Sequence, residues 1–452
     1  MSDVRPVPHP TRRLPFGLAV LVLLGGLSTL ASGELLTRFT VDGERLRTER
    51  ALAELAQAGL GPSATLAPAP RPQEVLDALQ AVQSFRALSS SEAAALALAG
   101  EKIGLEAGGD VAFAARVDEL RDQASEWEAL LEGARSRLGE VEGALKVLAC
   151  ADWSGALSSR DPLEVDEEHL YPLYELRTKL CGLAAAEALA GRRDEAWRLG
   201  LLVTELTRRQ RDAGLLAISV RQAATDLCAR TLPCLLATVG PPPRELSEAL
   251  APALAELAQP LDVGAALRWD LTCALSAFRA WEERGDTIFV YPPPARHKLP
   301  FLQRIEFSQV RTHFVELNGQ LLRTLRLPTR EALARLAELR AQPERLAEMP
   351  PRMLIDPVSN LLREGLETRA RIQLFRVALA LCGSDSTCGY GAALPVELPD
   401  PLLGDPTSPY GAPVRWARET PRSGTLWCVG LDGRDEQGQG DDVGLKLNLN
   451  RQ

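Results

Sequence analysis

The sequence predicts a mainly α-helical protein with an N-terminal transmembrane helix. A body built as a helical bundle or from tetratricopeptide-like hairpins follows, and a small C-terminal β-meander ends the chain. Three observations carry this prediction. An uncharged apolar run follows two arginines near the N-terminus, and apolar residues recur three and four apart from about residue 73 to 382. Beyond Gly383 the composition shifts to glycine, proline, aspartate and serine, with short alternating stretches in place of the helical period.

The run Leu14–Ser32 lies behind Arg12-Arg13 and contains no charge. At 1.5 Å per residue it reaches about 28 Å, enough to cross the hydrocarbon core of a bilayer. Basic residues on its N-terminal side place residues 1–33 as a cytoplasmic tail and anchor, with the rest of the chain outside the membrane. A cleaved signal peptide ending near Ala31-Ser32-Gly33 is the alternative, and it yields a secreted protein. Residues 34–72 follow as a membrane-proximal helix, Glu34–Ala58, interrupted near Asp42-Gly43, and a Pro/Ala-rich linker, GPSATLAPAPRP.

Residues 73–356 read as the helical body. Gln73–Leu98 carries a helical pattern broken at Ser89–Ser91. In Val111–Ala149, residues Leu120, Ala124, Trp127, Leu131, Ala134, Leu138, Val141, Leu145 and Leu148 alternate three and four apart. That seam fits a coiled coil that joins two copies of the chain or contacts a partner, or a long helix packed within its own domain. Leu176–Arg209 resembles a tetratricopeptide hairpin, with small residues at Ala184, Ala185 and Ala188. Gly191 ends its first helix and Asp194-Glu195 opens its second. Further helices are expected at about 213–238, 244–259, 262–284, 301–326, 329–347 and 357–382. Prolines 241–243 and 292–294 set the connections, because proline starts helices and disfavours their interior.

Residues 357–452 form the last segment, a helix followed by β-like stretches at Pro413–Arg418, Thr425–Gly430 and Val443–Leu449. No alternation of strands and helices points to a doubly wound sheet.

The chain has 452 residues, 51 of them basic and 60 acidic, for a net charge of −9. An acidic body argues against nucleic acid as a partner. An exported body permits disulfides. Cys382 and Cys388 sit in a Gly/Ser-rich loop that can close a small ring and form the candidate bridge. Cys150, Cys181, Cys228, Cys234 and Cys273 lie on apolar helical faces, where buried free thiols are common. Four scattered histidines and no C-x-x-C pair leave no zinc pattern.

The segment Leu431–Asp442 packs five carboxylates, one arginine and three glycines into twelve residues. Clustered carboxylates repel unless a cation or water screens them, and hard oxygen ligands suit Ca²⁺. The loop is not an EF-hand, since Arg434 stands at the third ligand position and no glutamate closes it. A solvated acidic turn is the competing reading.

The stretch from Asp405 to Leu447 resembles the C-terminal end of the major pseudopilin of type II secretion systems. The matching residues are Asp405, Pro406, Gly411, Pro413 and Trp416, then Gly430, Asp432, Gly433, Gly438, Gly440, Asp441 and Asp442. The resemblance covers about 367–452. It implies a calcium-binding loop that locks a β-meander, with carboxylates from Asp432, Asp441 and Asp442 and a backbone carbonyl near Val429 or Leu431. Here the final aspartates are adjacent, and the apolar run lacks the pseudopilin cleavage glycine and its glutamate, so the chain is not itself a pseudopilin. Its layout is similar to a poorly characterised set of membrane-anchored exported bacterial proteins, whose segment around Cys150-Ala151-Asp152-Trp153 also matches.

Catalytic signatures are scarce. The sequence contains no Gly-x-Ser-x-Gly, no His-Glu-x-x-His, no Walker loop and no dinucleotide fingerprint. Glu167-Glu168-His169 reads as an exposed helix start. The expectation is a non-catalytic structural or interaction protein of the envelope, with a protein partner there, near a secretion or pilus-like apparatus. A helical-repeat scaffold for envelope peptides and a hydrolase with a non-local site are the alternatives.

Overall fold

The computed structural model describes residues 16–62, 73–84, 124–150, 170–210, 214–284, 300–342, 352–383, 404–408, 412–420 and 423–448. Among them are eleven helices and one three-stranded antiparallel sheet. The chain divides into two compact units.

The first unit holds α1 (Phe16–Gln57), the end of α8 (Val263–Arg284) from Ala277, and α9 (Pro300–Thr324) as far as Gln320. Helix α1 runs unbroken through Asp42 and Gly43, so the expected interruption there is absent. One interior glycine costs about 1 kcal/mol against alanine, which tertiary contacts outweigh. Those contacts are visible: Arg47 pairs with Glu316 at 2.8 Å, and the Thr48 and Thr312 hydroxyls meet at 2.9 Å in a buried position. Leu55 packs over Gly319, and Phe278 makes edge contacts with Phe307 and Phe314. Among the described residues no helix is long and apolar enough to cross a membrane, so the anchor expected at Leu14–Ser32 draws no support from the fold.

The second unit contains α2 (Gln73–Ser84), α3 (Ala124–Cys150), α4 (Leu170–Leu189), α5 (Arg193–Arg209), α6 (Leu215–Val239), α7 (Arg244–Leu257), α8 up to Ser276, α10 (Thr329–Arg340) and α11 (Arg352–Gly383). Helices α4 and α5 form the expected hairpin, with Gly191 at φ +74 in the turn and Asp194 and Glu195 in the first turn of α5. Helix α4 is buried around most of its circumference, including Ala184, Ala185 and Ala188. A helix buried in this way packs against neighbours on more than one face. Trp197 of α5 stacks on Phe375 of α11 at 6.4 Å and donates its indole N–H to Gly240 O at 3.0 Å.

Charge is also buried here. Arg177 is fully enclosed and donates to Gln210 Oε1 at 2.6 Å and Leu206 O at 2.8 Å. The buried Glu187 carboxylate is clasped by Arg135, at 2.8 Å, and by Arg192. On α3 the seam residues Leu138, Val141, Leu145 and Leu148 are buried in the unit's own core, which leaves no apolar seam at these positions for a second copy. Of the seam, Leu120 lies outside the described residues, and Ala124, Trp127, Leu131 and Ala134 fall within α3.

Among the described residues three helices carry an internal proline, and of these only Pro357 was expected at a helix start. Pro233, Pro252 and Pro357 all sit inside helices, where each removes a backbone hydrogen bond. Packing of the surrounding apolar residues, among them Leu232, Leu250, Leu254 and Val358, holds these helices across the defect.

Strands β1 (Arg415–Thr420), β2 (Ser423–Cys428) and β3 (Val443–Asn448) pair in sequence order, with β2 central. This is the expected meander, with the first strand beginning two residues later and the second two residues earlier than predicted. Trp416 pairs with Leu426, and Leu426 with Leu445. Leu426, Cys428 and Val443 join the same apolar core as Ile372, Phe375 and Val377 of α11, so the sheet rests on that helix.

Candidate metal centre

The loop between β2 and β3 is tied down by carboxylates that accept backbone N–H groups. Asp442 accepts three such bonds, from Gly430, Glu436 and Gly438, each at 2.9 Å. Asp441 accepts from the Asp432 N–H at 3.0 Å, and Glu436 accepts from the Asp441 N–H at 3.0 Å. Left-handed backbone at Gln437, Gly438 and Gly440 folds the chain back so that these groups meet.

Asp432, Glu436 and Asp441 each offer an oxygen within 4.8 Å of the others, on the exposed side of the loop. Of the three expected ligands the structure therefore brings together Asp432 and Asp441. It places Asp442 beneath them as a brace, and Glu436 takes the third position. Glycines shape the cradle: a Cβ at Gly430 would overlap the Asp441 carboxylate, and one at Gly440 would overlap Glu436. Three carboxylate oxygens in a tight backbone cradle fit a hard divalent cation.

The floor of the loop is equally specific. Asp405 is buried and accepts from the N–H groups of Thr407 and Val429, both at 2.8 Å, while Arg415 lies 3.3 Å away. Its bond to Thr407, two residues on, is an Asx turn and explains why an aspartate precedes Pro406. Asp435 binds Trp427 Nε1 at 2.9 Å and Arg415 Nε at 2.6 Å, joining the loop to β2 and β1. Burial raises the Asp435 pKa, yet the bonds from Trp427, Gln437 N and Arg415 outweigh it and hold the carboxyl below its ordinary value. From α10, Arg330 donates to Thr407 O at 3.2 Å and Gly430 O at 3.0 Å, and its guanidinium occupies the space a Cβ at Gly433 would need.

Sequence reasoning missed Glu436, Asp435 and Arg330 as parts of this site. The acidic run contained the first two without ranking them. Nothing near Arg330 in the chain points to a loop a hundred residues away.

Among the cysteines, Cys382 is half-buried at the end of α11, with its thiol pushed up to about 11 by burial. Cys388 and the proposed bridge lie outside the described residues, as does Glu167-Glu168-His169. Cys181 and Cys228 are buried as expected and Cys234 and Cys273 partly so. Cys150 is instead exposed, because it is the last residue of α3. Comparison with known protein families, curated proteins and solved structures finds no match.

Proposed function

We propose that this chain is a non-catalytic, membrane-anchored protein of the bacterial cell envelope whose C-terminal module is stapled by calcium. The convergence of Asp432, Glu436 and Asp441 within 4.8 Å carries the reading. Calcium held there by these three side chains would cancel their mutual repulsion and order the loop between β2 and β3. The antiparallel meander resting on a long helix supports the pseudopilin-like comparison for this module. The uncharged run Leu14–Ser32 behind Arg12-Arg13 supports the anchor. A structural role agrees with a site whose carboxylates also brace the backbone through hydrogen bonds.

Calorimetric titration of calcium into the full-length chain in detergent, beside Asp432→Ala and Asp441→Ala, tests the proposal. The expected result is saturable binding, lost in both variants, with a melting temperature that falls on chelation. No heat and no change in melting temperature with chelator would overturn it and leave the loop as a solvated turn.

A further inference from the structure

A cavity of about 60 Å³ opens between α6, α11, the connection from α7 to α8, and the first residue of α10. A water-sized group needs on the order of 10–15 Å³ on this measure, so the space suits a ligand of about four to six heavy atoms. Leucines, including Leu257 and Leu366, form much of the wall, and Arg221 and Arg369 add two guanidinium groups. Among the described lining residues the one carboxylate, Glu256, is held by Arg208 at 3.1 Å.

Arg369 donates its Nε–H to Ala258 O at 3.1 Å and pairs with no carboxylate among the described residues. Burial lowers its pKa, and no anion among the described residues pulls it back. One turn earlier on the same face of α11 stands Gly365, which also lines the cavity. A glycine inside a helix is less stable than alanine. Packing does not demand it here, because a Cβ would meet only Gln222 Oε1 at an ordinary 3.6 Å. The missing methyl leaves open the space beside a guanidinium that lacks a counter-ion among the described residues.

We propose that this cavity binds a small carboxylate with a short apolar chain, its carboxylate on Arg369 and its carbons against the leucines. The planar guanidinium fork matches a carboxylate, and the apolar wall favours carbon over the hydration shell that a phosphate retains.

The test uses the full-length chain and butyrate as the probe, read by calorimetry or ligand-observed NMR, with butanol and inorganic phosphate as comparators. Saturable butyrate binding is expected, weakened by about tenfold or more in Arg369→Gln, where the charge-assisted pair is lost. Gly365→Ala, which fits without a clash, should fold normally and bind more weakly because its methyl narrows the cavity. Absence of saturable butyrate binding would overturn the proposal. So would equal affinity for butanol, or tighter binding of phosphate. If Arg369→Gln fails to fold, unchanged affinity in Gly365→Ala overturns it.

Discussion

Replacing Asp442 with alanine removes one carboxylate that accepts three backbone N–H bonds, from Gly430, Glu436 and Gly438. A single side-chain cap of this kind contributes about 1 kcal/mol. Three would give about 3 kcal/mol if independent, but they share one half-exposed carboxylate, so about 2–3 kcal/mol of local stability is expected. That corresponds to a loss of roughly 30- to 150-fold in hydrogen-exchange protection at the three amides. The assay is native-state exchange with chelator present, which separates the brace from any effect of a metal. Asp432→Ala serves as the control, since Asp432 accepts only from the Arg434 N–H among backbone donors. It should leave the Gly430 and Gly438 amides unaltered. Unchanged protection at all three amides in Asp442→Ala would refute the reasoning, because the loop would then be ordered by other contacts.

Three further outcomes follow from the packing and the titrating groups. Phe375→Ala removes a fully buried ring that stacks on Trp197, and should cost about 3–5 kcal/mol, read as a fall in thermal or denaturant midpoint. Asp435 has its folded pKa depressed, so its stabilisation is complete above the unfolded value near about 4 and is lost as pH falls through the lower folded value. Acid melting curves of the wild type should therefore drop below about pH 4 more steeply than those of Asp435→Asn; parallel curves would contradict this. Maleimide at neutral pH should label exposed Cys150 in the folded chain, while Cys228, with its thiol raised to about 11 by burial, should react only after unfolding. Mass spectrometry of the labelled peptides distinguishes the two.

Most helices were legible because their signal is local. A stripe of apolar residues three and four apart is a property of one segment, and α4 to α11 fall within a few residues of their expected bounds except where α4 starts six residues early at Leu170, a shorter α10 ends at Arg340 and α11 starts at Arg352. The hairpin of α4 and α5 was readable from Gly191 and the acidic first turn. Its extent of burial was not, since periodicity cannot tell a helix buried around most of its circumference from one that lines a groove. The unbroken course of α1 through Gly43 shows the opposite limit, where contacts from Thr48 and Leu55 override a local breaker.

The acidic loop divides in the same way. Its composition alone determined that carboxylates would crowd a glycine-rich turn between strands. Only the tertiary structure decided that Glu436 joins Asp432 and Asp441 while Asp442 turns inward to the backbone, because that choice depends on left-handed residues between two paired strands. Arg330 under the loop and Arg369 in the cavity wall were likewise settled by helix placement. Elements follow from neighbours in the chain. Sites follow from the relative positions of elements, which the summed packing of the whole core determines.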